Sequence, residues 1–155
     1  MCTGVALIES EIPGGLSEAF DLKPRVHDRG GEREVRFLYR HVPRLLPVWH
    51  EGRLIIARWG NQRHQSRELP LTGWTWRQTV DSGGWQPWQP EPVDIPANFA
   101  LENGVWYRVR QGIRGLLARD EEGLPVAYMI CEPATRYYRV MTRSDRMPTL
   151  IGEVI

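Results

Sequence analysis

Apolar residues in this chain never run far before a glycine or a proline stops them, and that punctuation bounds what it can fold into. Fifteen glycines and twelve prolines are spread through 155 residues, so the segments between them have strand length more often than helix length. Residues 35–42 set Val35, Phe37 and Tyr39 against Arg36, Leu38 and Arg40, a period of two that predicts a strand. Glu51-Gly52, between Val48-Trp49 and residues 54–59, reads as a hairpin turn. Residues 2–8, 105–109, 114–118 and 126–131 read as further strands, with Gly112 and Glu121-Glu122-Gly123 as breaks. Short helices are expected over 16–22 and over 132–142, the second opened by Pro133 where a missing N–H costs nothing. The charged stretch 26–34 reads as a loop. Residues 60–96 are polar, proline-broken and tryptophan-rich, too long for an idle connection, and mark a candidate binding segment. The expected fold is α+β: one domain over 1–155, built around a curled, mostly antiparallel, barrel-like sheet with a few short helices.

The bulk composition is globular, with 41% hydrophobic and 25% charged residues. No apolar run approaches the ~18 residues of a membrane helix, and no basic segment precedes the first apolar run. The expectation is a cytoplasmic protein without a membrane partner. Cys2 and Cys131 alone give no disulfide framework. A net charge of +1 conceals that nineteen of the twenty basic residues are arginine, Lys23 being the exception. Guanidinium forks match phosphates and stack on rings, and seven tryptophans supply the flat surfaces that single strands use. GC-rich coding produces the same arginine bias, so composition permits nucleic-acid binding without establishing it.

Cys2 is the most informative residue. Loss of Met1 would leave a thiol and a primary amine on adjacent carbons, groups that titrate near ~8.5 and ~8. Such a 1,2-aminothiol condenses with an aldehyde to an imine, and the thiolate then closes a thiazolidine ring. The same group is an N-terminal nucleophile for amide hydrolysis. The alternative is a chance cysteine beside the start, its thiol simply buried. His27, His41, His50 and His64 have no ligand spacing and C-x-x-C is absent, so no metal site is expected. Gly14-Gly15, Gly30-Gly31 and Gly83-Gly84 are turn pairs rather than phosphate loops, and no cofactor is expected.

Several small motifs then fall into a familiar order. Met1-Cys2, Tyr39-Arg40-His41-Val42-Pro43 with Pro47-Val48, Arg58-Trp59-Gly60, Ile95-Pro96-Ala97 with Glu102, Arg114-Gly115-Leu116-Leu117, and Ser144-Asp145-Arg146-Met147-Pro148 succeed one another. In this order the chain resembles the SOS-response-associated peptidase family, cysteine-at-position-two proteins that act on abasic sites in single-stranded DNA. The resemblance implies that Cys2, freed of Met1, is the crosslinking nucleophile and the residue that frees itself. It implies that Glu102 shuttles protons at the amine, where a solvated turn carboxylate is the plain alternative. Arg146 matches a phosphate contact, and Trp59 and Pro43 would lie at the mouth of the DNA groove, although Trp59 equally suits a core.

The departures are as informative. Thr3-Gly4-Val5 follows Cys2 where the family carries an arginine. The family's N-A-R-A-E-T segment has only Trp74-Thr75-Trp76-Arg77-Gln78-Thr79 as its counterpart, which leaves Arg77 as the phosphate contact there. Ser144 occupies the place of the acid/base histidine, and a hydroxyl cannot exchange protons near neutral pH as imidazole does. Two expectations follow: a protein that crosslinks to abasic single-stranded DNA through Cys2, or a catalytically silent module of the same fold that binds nucleic acid or a protein.

Overall fold

A computed structural model describes residues 1–153. Its first half alternates short strands with turns: β1 (Gly4–Ile8), a small helix α1 (Gly14–Ala19), β2 (Val26–Arg29), β3 (Glu32–Leu38), β4 (Leu45–His50) and β5 (Arg53–Trp59). Then come β6 (Trp74–Trp76), α2 (Arg77–Asp81), β7 (Glu91–Ile95), β8 (Phe99–Glu102), β9 (Val105–Arg108) and β10 (Ile113–Arg119). The chain closes with β11 (Pro125–Pro133), α3 (Arg136–Thr142) and β12 (Arg146–Pro148). The expected mixed fold, a single domain around curled and mostly antiparallel sheet, is what forms. One sheet runs β2-β3-β1-β8-β9. In the other, β10, β7, β4, β5 and β11 pair in turn and β10 pairs back with β11, which closes a five-strand barrel. Its parallel contacts are β11 with β5 and β6.

The alternation of side chains explains why β10 and β11 are apolar almost throughout. Successive residues of a strand face opposite sides, and here both sides are covered. Leu117, Ala127 and Met129 enter the main core, which draws on both sheets through Val5, Phe37, Leu46, Ile56 and Ile95. Leu116, Ala118, Val126, Tyr128 and Ile130 form a second cluster with Leu69 and Trp85. That second cluster is where residues 60–96 go. This candidate binding segment is packed structure holding β6, α2 and β7. Asn61 Nδ2 donates to the carbonyls of Ser66 and Leu69, and Trp85 Nε1 to Thr75 Oγ1. Gly60 opens it at φ 70°, with the Thr72 carbonyl so close that a Cβ would collide.

Two local expectations are corrected. Residues 26–34 are a hairpin, not a loop: β2 and β3 pair His27 with Glu34, Asp28 with Arg33 and Arg29 with Glu32. Opposite charges across these pairs add to the apolar Val26–Val35 pair in holding the hairpin, and Gly30-Gly31, at φ 60° and 93°, supply the left-handed turn. At the other end, Glu132 and Pro133 continue β11, and α3 begins later. Thr135 caps it, its Oγ1 accepting from Tyr138 N at 3.2 Å. Among the described residues no helix is long and apolar enough to cross a membrane.

Candidate functional site

Strand register brings the chain's first residues to the tip of a hairpin. β1 lies between β3 and β8, with Gly4 opposite Leu38 on one side and Leu101 on the other. Thr3 extends both ladders: its N–H donates to Leu101 O at 2.8 Å and its carbonyl accepts from Tyr39 N at 2.9 Å. One step further out, Met1 and Cys2 face Glu102, the last residue of β8. Asn103 and Gly104, both with positive φ, turn the chain into β9. Asn103 Nδ2 donates to Thr142 O at 2.8 Å, which fastens the hairpin tip to the end of α3. There Arg143 adopts the left-handed conformation (φ 60°) and directs Ser144 back towards the N-terminus.

These elements meet at one amine. Met1 N donates to Glu102 Oε2 and to Ser144 Oγ, each at 2.8 Å. Ser144 Oγ also donates to Arg146 O at 2.9 Å and accepts from Arg146 N at 3.2 Å, so its hydroxyl is held in orientation. Glu102 is 1% exposed, which removes the alternative of a solvated turn carboxylate. Its second oxygen, Oε1, accepts from Tyr138 Oη at 3.1 Å. The Tyr138 hydroxyl in turn lies 2.9 Å from that of Tyr107. A phenol has one proton to give, so with Tyr138 committed to Glu102, Tyr107 donates to Tyr138. Burial pushes both phenols above their ordinary range and keeps them protonated as donors. The two tyrosines were not foreseen. They fall on apolar faces of β9 and α3, where a phenol reads as core.

Cys2 sits beside this cluster but is closed. Its side chain is 2% exposed and its Sγ donates to Gly4 O at 3.3 Å. Burial, with a smaller contribution from the Glu102 charge, pushes the thiol up to about 12. Trp74 Nε1 donates to Cys2 O at 2.9 Å and holds the backbone in place. Arg146 lies over the mouth of the cluster: its guanidinium stacks 4.4 Å above the Trp76 ring and its Nη1 lies 3.7 Å from Met1 Sδ. Of the residues singled out from the sequence, Cys2, Glu102, Ser144 and Arg146 therefore converge.

The others lie apart from the amine. Arg77, one residue beyond Trp76, is exposed and paired with Glu132 at 3.1 Å and Asp81 at 3.8 Å. Pro43 is exposed on the loop after β3. Trp59 is 1% exposed, donates to Gly73 O at 3.0 Å and meets Tyr39 and Trp74 edge-on. Its ring is core, and it offers no face to a base. On the barrel rim, His50 Nε2 bonds Glu91 Oε2 at 2.8 Å with Glu51 nearby, the three offering ligand atoms within 4.8 Å of one another. Residues 50 and 91 are joined only by the β4–β7 pairing, which sequence spacing does not show. The chain matches no family model, no curated protein and no solved structure.

Proposed function

We propose that the N-terminal cluster captures abasic single-stranded DNA covalently, with Cys2 as the nucleophile once Met1 has been removed. One observation carries this reading: a buried carboxylate and a buried hydroxyl, 101 and 143 residues away in sequence, both bond the first amine of a chain whose second residue is cysteine. Hydrolysis of the Met1–Cys2 peptide bond consumes one water and releases methionine. The Cys2 amine then adds to the C1′ aldehyde of the ring-opened sugar, and loss of water gives an imine. Sγ adds to the imine carbon while its proton passes to nitrogen, closing the thiazolidine. Glu102 takes the proton that frees the amine and returns it to the departing hydroxyl. Tyr138 positions Glu102, Ser144 orients the amine, and Arg146 is set to contact a phosphate. Arg77 is a second candidate for the strand, two residues beyond the β6–β11 pairing of Thr75.

A second reading has its own support. The amine held by Glu102 and Ser144 belongs to Met1, and the Cys2 thiol is held protonated by burial. A chain that retains Met1 would be a silent module with an anchored N-terminus. The deciding experiment incubates Met1-free protein with single-stranded DNA bearing one abasic site and resolves the mixture on a denaturing gel. The capture reading expects a shifted covalent species that Cys2→Ala abolishes. Absence of that species, with DNA still bound, supports the silent module.

A further inference from the structure

The loop after β3 leaves the sheet at the same end as the N-terminus, because Leu38 pairs with Gly4, and beneath it lies a second feature of different chemistry. Arg25, in the tight turn before β2, is 7% exposed. Its Nη2 donates to Pro43 O, while its Nη1 is buried without a hydrogen-bond partner among the described residues. Among the described residues no carboxylate pairs with it either, whereas several less deeply buried arginines have one. Arg29 and Arg36 share Glu34, and Arg58 has Asp120. A buried guanidinium without an anion is costly, and burial accordingly lowers its proton affinity.

The same residue lines an open pocket of about 610 Å³ together with Phe20, Asp21, Arg40, His41 and Pro43. Three of its groups are basic against the one acid, Asp21, which makes no salt bridge to Arg25. Burial, and then the charges of Arg25, Arg40 and His27, lower the His41 pKa. Beside them lie apolar surfaces: Phe20 and Val42 are 37% and 82% exposed. A cationic floor next to exposed ring and aliphatic surface fits an anion attached to a flat apolar body.

We infer that this pocket binds a nucleotide, its phosphate on Arg25 and Arg40 and its base against Phe20 and Pro43. The phosphate supplies the counter-charge that Arg25 lacks. Two sources share this chemistry: a free mononucleotide, or one nucleotide of a strand passing along the loop. Only the second rests on the proposed capture function.

Titration calorimetry with thymidine 5′-monophosphate, thymidine and a short oligothymidylate tests it. The monophosphate should bind at least about ten-fold more tightly than thymidine, the worth of one charge-assisted contact. Arg40→Ala, on an exposed loop position, should weaken the monophosphate by a similar factor. Arg25→Met should abolish phosphate-dependent binding and lower the melting temperature of the free protein by no more than the loss of its hydrogen bond to Pro43 O, since the charge it removes has no anionic partner. If Arg40→Ala also weakens the oligonucleotide, the pocket serves a strand; if only the monophosphate is affected, it serves a free nucleotide. Equal binding of thymidine and its monophosphate, no binding of either, or indifference to Arg40→Ala overturns the inference. Monophosphate binding does not depend on the Cys2 chemistry, so failed crosslinking by the Met1-free wild-type protein with retained monophosphate binding counts against the capture reading alone.

Discussion

Replacing Glu102 by glutamine in a chain that retains Met1 isolates the contact on which the site is built. The substitution keeps the side chain's shape and removes its charge. Glu102 bonds an ammonium at 2.8 Å and a phenol at 3.1 Å. Breaking a fully buried ion pair costs about 3–5 kcal/mol, but Met1 is 39% exposed and its amine recovers some hydration. The smaller figure for charged hydrogen bonds, about 1.5–3 kcal/mol, is therefore the relevant one. For a chain of this size that corresponds to a loss of about 3–12 °C in melting temperature. Thermal and urea denaturation followed by circular dichroism measure it, with intact mass confirming that Met1 is present. The decisive arm adds Gly-Ser ahead of Met1, which withdraws the amine charge and leaves Glu102 a buried carboxylate without its cation. In that background Glu102→Gln should become neutral or stabilising. An equal cost in both backgrounds would refute the amine contact and the site geometry with it.

Cys2 in the Met1-bearing chain should resist alkylation. With its thiol pushed from the ordinary 9.0 up to about 12, the thiolate fraction at pH 8 falls about 10³-fold, and iodoacetamide labelling should slow by that factor relative to the unfolded chain. Because the folded pKa lies above the unfolded one, this group's contribution to stability is complete below about pH 9 and is lost as pH rises towards 12. Trp59→Ala should cost about 3–5 kcal/mol in urea denaturation and leave the DNA affinity of the folded fraction unchanged, since the ring is core. Arg146→Ala should shallow the salt dependence of single-strand binding by about one unit, and an unaltered slope would remove Arg146 from the phosphate contacts.

Much of the sheet was legible because its strands announce themselves locally. The alternation of Val35, Phe37 and Tyr39 belongs to a strand with one apolar face, and Glu51-Gly52 joins β4 to β5 as a hairpin. What escaped was structure held by long-range polar contacts. The β2–β3 hairpin pairs opposite charges, so Glu34 and Arg29 read as loop, and Arg36, the second partner of Glu34, stands on the expected strand with no sign of that contact. Residues 60–96 have no period because tryptophan N–H groups and the Asn61 side chain fix them, not a repeating face. The site divides in the same way. Cys2, Glu102, Ser144 and Arg146 were found by motif order, but the burial of Glu102 and its tyrosine partners depends on β8 meeting α3, which no spacing in the chain encodes. Trp59 was ambiguous for the same reason: a tryptophan before a glycine turn suits a groove or a core equally until its neighbours are known.

The most direct test of the central claim is peptide mass spectrometry of the species formed between Met1-free protein and abasic single-stranded DNA. Lys23 is the chain's only lysine, so few other amines compete for the aldehyde. The account predicts a single adduct on the peptide that begins with Cys2, its mass that of peptide plus nucleotide less one water, stable without reduction as a closed thiazolidine should be. An adduct on Lys23, one that survives Cys2→Ala, or none from protein shown to lack Met1 would contradict it.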